Sequence, residues 1–205
     1  MRRFLILILF LCCRAAVLPA QDMRAVFKNA PDEIFPLLTK NDRADLVDYI
    51  DAGMAAKVTN LFDGKSELLA LDEDYLLLAT SASSTVQLKL LPLQGDTLIC
   101  EVRTVKAEAS DSRIAFYDMD WNRLDSGTMF SFPAISDFFV AATDADEYAD
   151  VCDIYLVSLT MDADDNTLVA EYTMPDYMNI EDAGEVKPLL RKLVYNWNGQ
   201  RFVIE

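Results

Sequence analysis

The stretch Leu193-Val194-Tyr195-Asn196-Trp197-Asn198-Gly199-Gln200-Arg201-Phe202-Val203-Ile204 sets the fold class. Two runs of β-branched and aromatic residues flank an Asn-Gly pair. That pattern signals a hairpin with a two-residue turn, because both central residues must take positive φ. The same grammar recurs upstream. Thr85 to Leu93, the turn Gln94-Gly95-Asp96 and Thr97 to Val105 read as one hairpin. Ile154 to Met161, the turn Asp162 to Asn166 and Thr167 to Met174 read as another. From Ala55 onward, short apolar runs are separated by Asp, Asn and Gly, which predicts an antiparallel meander.

Residues 22–54 obey a different period. After Asn41, the segment Asp42 to Ala52 places Leu46, Val47, Ile50 and Met54 at helical spacing, with Asp42, Asp45, Asp48 and Asp51 on the other face. Gly53 stands where a left-handed cap belongs. Pro31 and Pro36 break the chain before it, so two or three short helices are expected. The expected class is α+β: short N-terminal helices packed on one face or end of a predominantly antiparallel β-sheet, with residues 21–205 as a single domain. A weak two-fold repeat runs through the β-rich region 55–205. Thr97-Leu98-Ile99-Cys100-Glu101-Val102 resembles Thr167-Leu168-Val169-Ala170-Glu171-Tyr172, and Tyr117 with Trp121-Asn122 resembles Tyr195 with Trp197-Asn198. Chance similarity between amphipathic strands is the competing explanation.

Of 205 residues, 52% are apolar and 25% charged, which rules out collagen-like, low-complexity and wholly disordered chains. Eighteen Lys and Arg against 34 Asp and Glu leave −16, a charge that repels phosphate backbones, so no nucleic-acid partner is expected. The chain has no histidine, which removes imidazole bases and His-ligated zinc sites. Met1-Arg2-Arg3, the apolar run Phe4 to Cys13, and Leu18-Pro19-Ala20 read as a signal peptide over residues 1–20. The apolar run is too short for a transmembrane segment, and a periplasmic or secreted location is expected. Cys12 follows Phe10-Leu11 and Cys13 follows Cys12, where a lipid-modified cysteine needs small residues before it. Cleavage after Ala20 removes three arginines and no acid, so the charge falls to −19.

Phe27-Lys28-Asn29-Ala30-Pro31 and the run Ile34 to Tyr49 resemble the opening of an uncharacterised family of exported proteins from anaerobic gut bacteria, classed as a domain of unknown function. Gln87 to Leu93, Asp111 to Tyr117 with Trp121, and Trp197-Asn198-Gly199 extend the likeness over most of the mature chain. The resemblance implies export and a single domain, and implies no activity.

Leu124-Asp125-Ser126-Gly127-Thr128 resembles the catalytic loop of aspartic peptidases, in which two carboxylates share one proton. A monomeric enzyme needs two such loops and Asp125 lies in the one present, so a turn after a strand is the plainer reading. Asp162, Asp164 and Asn166 offer oxygen donors at alternate positions, as calcium loops do, and Asp118-Met119-Asp120-Trp121-Asn122 is similar. Both clusters lack the loop glycine and the closing Glu, and acid-rich turns account for them. Asp144, Asp146, Glu147, Asp150 and Asp153 read as a solvated charge run. Phe116, Tyr117, Trp121, Tyr195 and Trp197 form either a binding surface or, given the area they bury, core. In an oxidising compartment Cys100 and Cys152 are the expected disulfide, with separate buried thiols as the rival. Alternation puts Cys100 with Leu98 and Val102 on one strand face and Cys152 with Ile154 and Leu156 on another.

The leading reading is a non-catalytic binding module of the cell envelope with a protein or glycan partner and no cofactor. The alternatives are a carboxylate-only hydrolase, aspartic-peptidase-like or glycosidase-like, and a cation-stabilised structural module. N-terminal sequencing of exported protein is expected to begin at Gln21 or within a few residues of it. Retention of Met1 or an acylated cysteine contradicts the signal-peptide assignment.

Overall fold

Thr39, and not Asn41, starts the longer N-terminal helix. In the computed structural model, which describes residues 22–205, the Thr39 hydroxyl accepts from the Asp42 N–H at 3.2 Å and the Asp42 carboxylate accepts from the Thr39 N–H at 2.8 Å. Only a residue three positions before a carboxylate makes this reciprocal exchange, which is why Asn41 is passed over. The signal peptide expected over residues 1–20 lies outside the described residues. Helix α2 (Lys40–Asp51) follows α1 (Met23–Asn29), and Gly53 takes φ +68° just past its end, as expected. Leu46 and Val47 are fully buried. Met54 is 55% exposed, because it falls beyond the helix and its N–H turns back to the Tyr49 carbonyl. On the outer face Asp48 and Asp51 pair with Lys28 and Arg24 of α1 at 2.8 and 2.9 Å.

The segment between the two helices is held from within. Arg43, only 1% exposed, sends its guanidinium to the carbonyls of Leu38 (2.9 Å) and Ala30 (2.7 Å) and to Asp32 (3.0 Å). A buried charge is tolerated when hydrogen bonds replace its water, and here those bonds fix a linker that Pro31 and Pro36 keep from being helical.

The strands form two antiparallel sheets where one was expected. Strands β1 (Lys57–Thr59), β2 (Lys65–Leu71), β3 (Tyr75–Ser81), β4 (Ser84–Leu93), β5 (Asp96–Lys106) and β6 (Ser110–Tyr117) make a six-stranded meander in chain order. After the short helices α3 (Ser126–Met129) and α4 (Ala142–Glu147), strands β7 (Val157–Met161), β8 (Thr167–Tyr172), β9 (Leu193–Trp197) and β10 (Phe202–Ile204) make a four-stranded meander, with α5 (Ile180–Val186) between β8 and β9. The two-residue turn expected at Asn198-Gly199 occurs instead at Gln94-Gly95, both left-handed (φ +43° and +93°), with Leu93 paired to Asp96. At the last hairpin Trp197 pairs with Phe202 across a four-residue loop. There only Gly199 is left-handed, and the Asn198 side chain instead accepts from the Gln200 and Arg201 N–H groups.

Alternation along β4 and β5 sorts the core into two compartments. Val86, Leu88, Leu90 and Ile99 face α1 and α2, packing with Met23, Phe27, Phe35, Leu46 and Val47. Leu91, Leu98, Cys100 and Val102, with Ile114 and Phe116 of β6, face Val157, Leu159, Met161, Leu168, Tyr195 and Trp197 of the smaller sheet. The order of layers is therefore helices, six-stranded sheet, four-stranded sheet. In the repeat, the two similar strands become β5 and β8, each the middle of three successive antiparallel strands. Tyr117 pairs with Ile99, however, whereas Tyr195 pairs with Leu168. That offset of one residue sends the two tyrosines to opposite faces.

Strand β7 is an edge of the smaller sheet, and its free side is buried against the larger one. Its outward N–H groups are taken by side chains: Met161 by Gln87 Oε1 (2.9 Å), Leu159 by Ser112 Oγ (3.0 Å) and Val157 by Asp111 Oδ1 (3.4 Å). Lys89, 2% exposed, continues the row by donating to the Ala163 carbonyl at 2.8 Å while paired with Asp74 at 3.1 Å. Ser112→Ala strands the Leu159 N–H and the Thr104 hydroxyl, so it is expected to cost about 1–3 kcal/mol. A lowered denaturant midpoint at unchanged slope checks this, and Arg113→Ala on the exposed neighbour should stay within about 0.5 kcal/mol of wild type.

Candidate functional site

The carboxylates singled out from the sequence are occupied by their own loops. Asp125 caps α3, accepting from the Gly127 N–H at 3.1 Å on the exposed surface. Asp162 accepts from the Asp164 N–H at 2.8 Å and so turns back on its own backbone. The next acid in that loop, Asp165, is held below the usual carboxylate range by its bonds from the Thr167 hydroxyl and N–H. Asp164 is exposed and Asn166 half-buried, so these donors do not converge, and the cation that reaches this loop is the Lys89 ammonium on the Ala163 carbonyl. The run Asp144 to Asp153 lies in and after α4, mostly solvated.

Cys100 and Cys152 are free and both buried in the compartment between the sheets. This corrects the expected bridge. Cys100 does share its strand face with Leu98 and Val102, but Cys152 is not on a strand. It precedes β7, donates its N–H to the Tyr148 carbonyl at 2.9 Å, and leaves Ile154 exposed. Burial pushes the Cys100 thiol well up, and burial also raises Cys152 despite an opposing hydrogen bond with Tyr172. Neither sulfur is a poised nucleophile.

Among the aromatic residues, Phe116, Tyr117, Tyr195 and Trp197 are core, and the Trp197 indole donates to the Pro92 carbonyl at 2.7 Å. Trp121 is different. It is half-buried and its backbone is left-handed at φ +64°, an uncommon conformation for a bulky residue that becomes informative when the surroundings enforce it. Asp118 enforces it. The Asp118 carbonyl accepts from the Trp121 N–H at 3.0 Å, one carboxylate oxygen takes the N–H groups of Asp120 and Asn122 at 2.9 Å each, and the other takes the Asn122 side chain at 2.9 Å. These bonds, with Asn122 the largest contributor, hold the Asp118 carboxyl below its ordinary range. The acid cluster that resembled a calcium loop is thus a rigid turn that presents an indole.

The indole stands on Tyr117 and Phe35, with ring centroids 5.4 and 6.4 Å away, and forms one wall of a hollow of about 360 Å³. Asp22, Ala25, Val26 and Asn29 of the first helical turns make the opposite wall, and Met119 and Asp120 complete the rim. The Asn29 amide N–H₂ is bonded to the Ala25 carbonyl at 3.0 Å, which ties this lining side chain to its own helix. Sequence reading names Trp121 among five aromatic candidates but not the hollow, because nothing in Asp118-Met119-Asp120-Trp121-Asn122 signals a left-handed tryptophan, or that α1 lies across from it.

The family described as a protein of unknown function (DUF3256) matches residues 15–202. A solved structure, that of a domain of an uncharacterized protein from Porphyromonas gingivalis W83, is similar at TM-score 0.79 and 25% identity, covering 89% of this chain and 98% of that one. No curated protein is similar to the chain. Among the described residues no helix is long and apolar enough to cross a membrane.

The buried thiols offer a check on the sheet interface. Alkylation of the folded protein is expected to be negligible near neutral pH, and unfolding without reductant should release two alkylatable thiols, Cys100 and Cys152. Mass spectrometry showing none after unfolding restores the bridge.

Proposed function

We propose that this chain, which belongs to the DUF3256 family of proteins of unknown function, is an exported, non-catalytic binding module of the cell envelope whose ligand is a glycan held at the Trp121 hollow. The observation that carries this reading is the left-handed, half-buried Trp121 on the rim of a cavity of about 360 Å³ that also bears Asp22, Asn29 and Asp120. A sugar ring has an apolar C–H face and a polar rim of hydroxyls. An indole offers a flat apolar surface for the first, and planar carboxylate and amide oxygens accept hydrogen bonds from the second. Asp22 caps α1 and pairs with Arg24 at 3.5 Å, which leaves exposed Asp120 as the rim charge, and it favours neutral or amino sugars over anionic ones.

Rigidity supports the same reading. A platform whose backbone is locked by Asp118 and whose ring is backed by Tyr117 and Phe35 loses little freedom on binding, so more of the contact energy appears as affinity. The aspartic-peptidase reading draws no comparable support, since Asp125 is spent on a helix cap.

Calorimetric titration with neutral oligosaccharides and soluble peptidoglycan fragments tests the proposal. Trp121→Ala is expected to weaken binding at least about tenfold, the loss of one stacking contact, while Trp121→Phe keeps part of the affinity. Asp120→Ala, an exposed change, should weaken binding with the melting temperature unaltered. Binding that survives Trp121→Ala, or no binding by any of these probes at millimolar concentration, overturns it.

A further inference from the structure

The outer edges of the two sheets are closed in different ways, and one is not closed. The edge of β7 is taken by Gln87, Ser112 and Asp111. Along β6 the Leu124 N–H donates to the Phe116 carbonyl at 2.8 Å, Tyr117 bridges to Arg123, and the Thr173 hydroxyl covers the Ser110 carbonyl. At the far end β1 is three residues long, begins with Lys57 and turns the Lys57 N–H back to the Ala55 carbonyl. Short strands, lysines and covering groups are how sheets avoid pairing with other chains. Strand β10, Phe202-Val203-Ile204, is short but carries neither lysine nor proline, and nothing among the described residues pairs with its outer side.

The register says which groups that side presents. The Asn198 N–H donates to the Arg201 carbonyl at 3.1 Å and the Glu205 N–H to the Val194 carbonyl at 3.0 Å. Hydrogen-bonded and non-bonded pairs alternate in an antiparallel ladder, so Val203 bonds inward to Asn196, while the N–H and C=O of Phe202 and Ile204 point outward. Beside them a hollow of about 450 Å³ is lined by Phe132, Pro133, Tyr195, Phe202 and Ile204, with Phe132 44% and Ile204 54% exposed. Arg201 precedes the strand and has no ion-pair partner among the described residues, and Glu205, whose Oε1 accepts from Asn196 Nδ2 at 2.8 Å and whose other carboxylate oxygen is left for a cation, follows it.

This edge is complementary to itself. Laid antiparallel against a second copy and centred on Val203, Phe202 of each copy faces Ile204 of the other and exchanges both backbone hydrogen bonds with it. Arg201 of each then faces Glu205 of the other. Any shift of two residues leaves part of the outward backbone unpaired and separates the charges. Cross-strand partners share a face, so the exposed Ile204 comes to rest beside Phe202 of the second copy on the side of the hollow. We propose that two copies of this chain associate through β10, antiparallel about Val203, joining their four-stranded sheets into one continuous sheet across a two-fold axis.

Sedimentation of the exported chain over micromolar to high micromolar concentrations tests this. A dimer that dissociates on dilution is expected. Ile204→Pro removes an N–H that points outward and leaves the inner ladder intact, so it is expected to give a monomer with unchanged circular dichroism. Arg201→Glu and Glu205→Arg should each weaken association about tenfold, and the double variant, which rebuilds the pair with its signs exchanged, should recover it. The charge exchange decides the matter even if Ile204→Pro fails to fold. A wild-type monomer throughout, a dimer that persists in folded Ile204→Pro, or a double variant no tighter than the singles overturns the proposal. None of these outcomes bears on glycan binding at Trp121.

Discussion

A sheet edge cannot be buried unless something replaces the water on its backbone, and the placement of the smaller sheet follows from how β7 meets that condition. Three N–H groups face the larger sheet, and Gln87, Ser112 and Asp111 receive them. Leaving any one unpaired costs about 1–3 kcal/mol, comparable to burying a leucine, so the polar row is as decisive for the interface as the apolar residues around it. Gln87 also donates to the Leu159 carbonyl at 3.4 Å, and Ser112 shares its hydroxyl with Thr104 at 2.8 Å. Sliding β7 by one residue would set residues whose N–H groups point away from the larger sheet against acceptors placed for N–H groups. The row therefore fixes the smaller sheet in register, and through it the position of the loop that Lys89 holds and of β10 at the far edge.

The hollow at Trp121 depends on the opposite face of the larger sheet. There α1 and α2 are docked by Met23, Phe27, Leu46 and Val47, and Arg43 sets the linker that carries Phe35 beneath the indole. The turn after β6 supplies the indole and α1 supplies the opposite wall, so the site exists only when the helical layer is seated on the sheet. Its lining is held by local bonds, Asn29 to its own helix, Asp22 to the Arg24 N–H, and Trp121 through the turn that Asp118 closes.

Much of this was legible in the sequence, and the failures have physical causes. Asn, Gly and Asp between apolar runs located the hairpins, and Gly53 marked the end of α2. The division into two sheets was hidden because β4 and β5 are buried on both faces, which erases the alternation that reports a single core; Leu88-Lys89-Leu90-Leu91 gives no sign that Lys89 lies inside. Gln87, Ser112 and Lys89 look like surface residues until the edge they serve is known. Asn198-Gly199 misled because an asparagine side chain can close a wider loop as readily as its backbone can make a tight one. Asp118 was recognised as one of an oxygen-rich cluster, but what those oxygens bind is the backbone of their own turn.

The two unbridged cysteines place a demand on the order of events. Until the sheets close, both sulfurs are open to any oxidant in the compartment where the chain folds; once closed, they sit among Leu98, Val102, Val157 and Tyr172, out of reach of small thiols and disulfides alike. A mixed disulfide formed early adds bulk that a close-packed interior has no room for, so an oxidised chain is barred from the native state instead of merely altered in it. In an oxidising compartment, closure of the sheets has to outrun sulfur chemistry for both thiols to reach the buried positions they hold here.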